Sequence, residues 1–208
     1  MKDSKILLLL SILILITFLI DNSKNKLDTG DIAFTSYNSK NNDSFSIVLL
    51  KDIAPNTTIF FTDDEWNGNR FGTSENNLAW NSGTTMLPAF TEINFTNIKY
   101  KPNSNYGFTI GNLNLSQEGD AIFAYIGESF KQPLKFLSAI SNDPNQYGTL
   151  INTNLEEGRS AITLPMNTYS AILKEKIKSS KEEIIEQLND SNNYNFQYRT
   201  VSFASKSF

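Results

Sequence analysis

The chain has 208 residues, 39% of them hydrophobic, and carries 22 acidic against 18 basic residues for a net charge of −4. It has no cysteine and no histidine, which excludes disulfides, thiolate metal centres, thiol nucleophiles, Ser-His-Asp triads and the commonest general base. A chain of this size buries a core without covalent staples, and its scattered basic residues form no concentrated cationic face, so nucleic acid is not expected as a partner.

Lys2 and Lys5 precede residues 6–20, a run of fifteen whose only polar members are Ser11 and Thr17. A positive start followed by uniform apolarity is an export signal. As a helix the run reaches about 22 Å, short of the ~30 Å hydrocarbon core of a bilayer, which favours cleavage over a full span. No small-x-small cleavage pattern surrounds residues 18–21, so retention as an amino-terminal anchor stays open, and contact with a membrane is expected only through residues 6–20 if they are uncleaved. The expected location is exported: periplasmic, extracellular or at the cell surface. Residues 1–20 are thus a signal peptide or anchor, 21–29 a polar linker, and 30–204 a single domain.

From Gly30 the pattern changes. Ile32, Phe34 and Ser36 alternate with Ala33, Thr35 and Tyr37, which reads as a first strand, and the polar residues 38–43 as a turn. Residues 44–66, SFSIVLLKDIAPNTTIFFTDDEW, hold two runs rich in β-branched and aromatic residues, 45–50 and 57–62, separated by Ile53-Ala54-Pro55-Asn56. Two neighbouring antiparallel strands joined by a proline turn have this form. Residues 63–77 are a long polar loop, of the kind that is either functional or pinned by its own side chains. Further strands are expected at 78–80, 91–95, 106–110, 121–126, 136–140 and 161–164. This spacing, with turn signals between, predicts an all-β fold, mainly an antiparallel β-sandwich.

Residues 169–177 are ambiguous between strand and helix. Ser180-Lys181-Glu182-Glu183 is a capping box, and Ile184, Ile185 and Leu188 then share one face, predicting one C-terminal α-helix near 180–189. The lysines at 174, 176, 178 and 181, interleaved with glutamates, read as a solvated face. Residues 196–203 return as a final strand or trail off.

Gly30-Asp31-Ile32-Ala33-Phe34 with Tyr37-Asn38, then Ile59 with Phe61-Thr62-Asp63 and Trp66, then Gly119-Asp120 with Phe123-Ala124-Tyr125, form a connected set of motifs. The set resembles an uncharacterised domain of secreted bacterial proteins, lamin-tail-like in style and often the first domain of larger exported proteins. The resemblance covers most of residues 29–197 and reaches Asn192-Asn193-Tyr194, where the family favours tryptophan in place of Tyr194. It implies a β-sandwich and an exported location, and supplies no chemistry.

Asp63, Asp64 and Glu65 at a strand end are the candidate metal ligands, since Ca²⁺ takes six to eight oxygens from carboxylates, carbonyls and water. Trp66, Phe71 and Trp80 are the candidate ligand-binding residues, able to offer aromatic faces to a carbohydrate. Against both stands a simpler expectation: strand alternation puts Asp63 and Glu65 on one side and Asp64 on the other, an acid satisfies turn amides, and Trp66 plugs the core. No D-x-D-x-D-G loop is present. A glycosidase-like pair, Asp63 with Glu75 or Glu65 with Asp120, would need carboxylates about 5–9.5 Å apart across a cleft. The residues together predict an exported, non-enzymatic binding domain whose partner is a carbohydrate or another surface protein, with no required cofactor and Ca²⁺ as the candidate ion. The alternative is a small carboxylate-dependent hydrolase.

Overall fold

The computed structural model describes residues 26–174 and 181–199. The export segment, residues 175–180 with Lys176, Lys178 and Ser180 of the capping box, and the residues after 199 lie outside them. Two six-stranded sheets pack face to face. The first contains β1 (Ile32–Asn38), β2 (Ser44–Leu49), β5 (Glu92–Thr96), β6 (Asn103–Ser104), β11 (Thr168–Leu173) and β12 (Tyr194–Tyr198), in the order β12-β11-β1-β2-β5-β6. The second contains β3 (Thr58–Thr62), β4 (Asn77–Asn81), β7 (Phe108–Asn112), β8 (Ala121–Ser129), β9 (Gln132–Ser141) and β10 (Ala161–Thr163), in the order β10-β9-β8-β3-β4-β7. Neighbours are antiparallel except β9 and β10, which run parallel. Among the described residues one α-helix, α1 (Lys181–Leu188), precedes a single 3₁₀ turn and β12. The all-β sandwich with one C-terminal helix is the fold the sequence predicts, and residues 169–173 resolve as strand.

The two apolar runs at 45–50 and 57–62 do not pair with each other. β2 lies between β1 and β5, whereas β3 lies between β8 and β4 in the opposite sheet. The connection is an arch that turns the corner of the sandwich, held by reciprocal backbone bonds between Ile53 and Leu87 (2.8 and 2.9 Å) with both side chains buried. Its physical reason is the apolar face of each run: Phe45, Ile47 and Leu49 of β2 and Ile59 and Phe61 of β3 all enter one core. Set on facing sheets, they bury against each other, and the Phe45 and Phe61 rings meet at 5.0 Å. Phe95 stacks on Phe45 at 4.5 Å and meets Trp80 edge-on at 5.9 Å, extending the aromatic chain across the sandwich.

Simple alternation also fails in β1. The register with β2 shifts between Phe34 and Ser36, a bulge that puts one extra residue in the strand. Phe34 and Tyr37 therefore both face the core, and Ser36 faces out, opposite Ser46. β7 begins two residues later than expected because Gly107 takes φ +69°, where a Cβ would stand 2.0 Å from the Asn81 carbonyl oxygen. Of the expected linker, Leu27 is buried in the core and the Thr29 hydroxyl donates to the Phe136 carbonyl at 2.8 Å, so the domain starts before residue 30.

Two smaller clusters lie outside the sandwich. On the second sheet, Phe123, Tyr125, Phe136 and Ala139 are covered by Trp66, Phe71, Tyr147 and Leu155 from long loops. On the first, Ile184 and Leu188 of α1 pack on Ala33 and Leu50. The buried Tyr194 hydroxyl reaches the Phe34 and Leu188 carbonyls, each at 2.6 Å, its single proton serving one at a time. Truncating Phe45→Ala, at the centre of the aromatic chain, is expected to lower stability by about 3–5 kcal/mol, read as the shift in urea midpoint. Tyr194→Phe is expected to cost only about 1 kcal/mol in the same measurement.

Candidate functional site

β3 ends at Thr62, and the chain leaves the sheet before its acids, so strand alternation does not govern them. Asp63 turns inward: its Oδ1 accepts the Asn76 N–H at 2.7 Å and its Oδ2 the Asn114 N–H at 2.9 Å. Asp64 is buried as well; its Oδ1 accepts the Glu75 N–H at 3.2 Å, and its Oδ2 is ion-paired with the Lys131 ammonium. Glu65 is exposed. The acids that converge are Asp64, Glu65 and Glu75, which can each bring one oxygen within 4.8 Å of the others. This trio replaces the expected Asp63, Asp64 and Glu65, because Asp63 is committed to loop amides and the returning loop brings in Glu75.

Lys131 is the cation of this cluster and sits at the tip of the β8–β9 hairpin. Its backbone takes φ +61°, a left-handed conformation uncommon outside glycine and asparagine. Three contacts hold it there: its N–H donates to the Tyr125 hydroxyl at 2.7 Å, its Nζ donates to the Glu75 carbonyl at 3.1 Å, and the same Nζ pairs with Asp64. The hairpin tip is thereby latched onto residues 63–77.

Asp43 and Asp120 complete the picture from other parts of the chain. Asp43 Oδ2 accepts the Leu115 N–H at 3.0 Å, and Asp120 Oδ2 accepts the Ser116 N–H at 2.7 Å. With Asp63 on Asn114, three buried carboxylates hold three successive backbone amides. The Asp120 N–H in turn donates to Asn142 Oδ1, whose amide nitrogen donates to the Thr168 carbonyl, tying β8 to the entry of β11. Burial raises the pKa of all three acids, opposed by these same amide bonds; Asp120, with Asp63 and Glu75 also pushing, reaches about 8. Glu75 is raised to about 7, first by partial desolvation and then by Asp63, Glu65 and Asp64, with Lys131 pulling the other way.

The aromatic candidates are turned into the protein. Trp66 donates its indole N–H to the Ile151 carbonyl at 2.9 Å, and its ring packs edge-on against Phe71 and Phe136, each at 5.0 Å. Trp80 is fully buried and donates to the Tyr106 carbonyl at 2.7 Å. Phe71 is buried beneath the loop that carries it. No ring face of the three is left for a sugar, and plugging the core is the role the geometry gives them.

Cavities of about 620, 450 and 380 Å³ lie on the outer face of the first sheet, beside residues 144–163, and beside Lys26 and Leu134. None of these three is lined by Asp63, Asp64, Glu65, Glu75 or Asp120. Sequence reasoning missed Lys131, Asp43 and Asn142. Only Asp120 carried a signal, as the acid of a Gly-Asp pair just before an apolar run. Comparison with protein-family models, with curated proteins and with solved structures finds no match to the chain.

Lys131→Met is expected to leave the Asp64 carboxylate buried without its cation and to cost about 3 kcal/mol by urea unfolding, with Asp64→Asn in the same chain recovering part of the loss. The raised carboxyls fix a pH dependence. An acid whose folded pKa lies above its unfolded value stabilises the protein fully below the unfolded value, near 4, and loses that contribution as pH climbs to the folded one. With Glu75 at about 7 and Asp120 at about 8, thermal stability should fall from pH 5 to pH 8.5. Asp120→Asn should flatten that slope in a melting series.

Proposed function

We propose that this protein is an exported, non-enzymatic β-sandwich that acts by binding at or outside the cell surface. The observation that carries the reading is the employment of the acids. Asp43, Asp63 and Asp120 hold loop amides, and Asp64 is neutralised by Lys131. Groups so engaged secure loops and are poorly placed to exchange protons with a substrate. The apolar run at residues 6–20 supports export and lies outside the described residues.

A second reading, a carboxylate-dependent hydrolase using the acids near 63–75, draws on one observation. Glu75 is held up to about 7, in the range a general acid needs, with Asp64 and Glu65 close by. The two readings separate in a turnover assay on glycan and phosphoester substrates. No hydrolysis is expected, and activity that Glu75→Gln abolishes would establish the hydrolase. Sequencing of the mature amino terminus by mass spectrometry, with fractionation of producing cells, tests export; an intact, cytoplasmic chain would end that part of the proposal.

Ca²⁺ at Asp64, Glu65 and Glu75 would compete with Lys131 for Asp64. Millimolar Ca²⁺ is therefore expected to leave the melting temperature unchanged, whereas a rise would establish native-state binding by mass action.

A further inference from the structure

Among the described residues, only half of the outer face of the first sheet is covered. Helix α1 packs over Ala33, Val48 and Leu50, and the rest of the face is an open groove of about 620 Å³. The bulge in β1 brings Ser36 onto this face, opposite Ile172 of β11 on one side and Ser46 of β2 on the other. Ser46 is opposite Asn94 of β5, so Ile172, Ser36, Ser46 and Asn94 form one row across four strands. At the spacing of hydrogen-bonded strands the row is about 14 Å long. Ser44 and Ser170 line the same groove.

Ser36, Ser46 and Asn94 break the usual preference of strands for β-branched and aromatic side chains, and they do so side by side. Their smallness deepens the groove: tyrosine, an ordinary choice for an exposed strand, would fill much of it. Local choices that work against the fold, clustered on one surface, mark a site. The polar atoms are also ordered. Ser36 Oγ donates to Ser46 Oγ at 2.9 Å, and Ser46 Oγ donates to Asn94 Oδ1 at 2.8 Å. That chain leaves the amide NH₂ of the exposed Asn94 and the acceptor side of Ser36 to meet a ligand.

Charge selects the ligand class. The floor is neutral, and among the described residues the carboxylate and the ammonium that line the groove, Glu92 and Lys174, are each engaged. Glu92 accepts the Thr35 hydroxyl at 2.8 Å, and Lys174 donates to the Asn192 carbonyl at 2.7 Å. Among the described residues no cationic cluster lines the groove to hold a phosphate or a uronate. A neutral polyhydroxylated chain finds alternating donors and acceptors, with Ile172, 57% exposed, as an apolar platform for a C–H face. We infer that the groove over Ser36, Ser46 and Asn94 binds a neutral oligosaccharide. This inference rests on reading the protein as a binding domain, and it gives that reading a site and a ligand class.

The test uses the full-length chain in a sugar-free detergent, on an array of neutral oligosaccharides with their uronic-acid and sulfated counterparts, followed by calorimetry on the best binder. Ser36→Tyr fills the groove with a residue strands favour, and Asn94→Ala removes one exposed amide. The expected result is binding of a neutral glycan, weakened at least about tenfold by Ser36→Tyr and about five- to tenfold by Asn94→Ala, with the melting temperature of each variant held. Asn94→Ala carries the test alone if Ser36→Tyr does not fold. A neutral glycan bound equally well by both variants overturns the site while sparing the binding-domain reading. Binding of acidic glycans only, or of none, overturns the ligand class. Turnover of a bound neutral glycan that Ser36→Tyr blocks supports the groove and overturns the non-enzymatic reading instead.

Discussion

Three buried carboxylates on three successive amides are the constraint around which one end of this sandwich is organised. Asn114, Leu115 and Ser116 have no strand to pair with, and Asp63, Asp43 and Asp120 supply the acceptors that a neighbouring strand would have offered. The Leu115 N–H lies in the interior, where leaving it without a partner would cost about 1–3 kcal/mol, and the bonds to Asn114 and Ser116 fix the backbone on either side of it. Each acid comes from a different stretch: the start of β2, the end of β3 and the start of β8. The clasp therefore ties the first sheet to the second at a place where no ladder does so. Burial raises the proton affinity of all three acids, and the amides offset part of that penalty.

The outer faces of the two sheets are used differently. On the second sheet, loops carrying Trp66, Phe71 and Tyr147 fold back over Phe123 and Phe136, so the chain covers its own aromatic surface with a second, smaller core. Lys131 and Asp64 close the margin of that cover. On the first sheet, α1 covers one half and the other half carries small hydroxyl and amide side chains. One face is thus sealed with aromatic rings, and the other retains a polar recess.

The strands were legible because β-branched and aromatic runs with polar breaks between them read directly as strand and turn. β2, β4, β5 and β8 lie close to where those runs stand. Their partners were not legible. An apolar run shows that a residue faces a core but not across which gap, so the arch between β2 and β3 read as a hairpin. The bulge at Thr35 left no mark in the alternation of residues 32–37, although it decides that Tyr37 faces in and Ser36 faces out. Loop chemistry was hidden for a related reason: Trp66 finds its acceptor at Ile151, 85 residues away, and no local pattern announces such a pair. Lys131 stood at a hairpin tip where lysine is unremarkable, and only the fold brings Asp64 to it.

The order of strands in the first sheet has a consequence for how the chain is made. β1 is the first described strand, yet one of its two ladders is completed only by β11, whose Ile172 pairs with Ser36. Until nearly the whole domain has been synthesised, that side of β1 is an open row of donors and acceptors, and the surface that α1 later covers is bare. Open edges of this kind recruit strands from other molecules, most of all while a chain is incomplete. A chain ending before residue 168 would retain every strand of the second sheet and lose the closing pair of the first, so completeness at the carboxyl end is a condition for solubility as well as for shape.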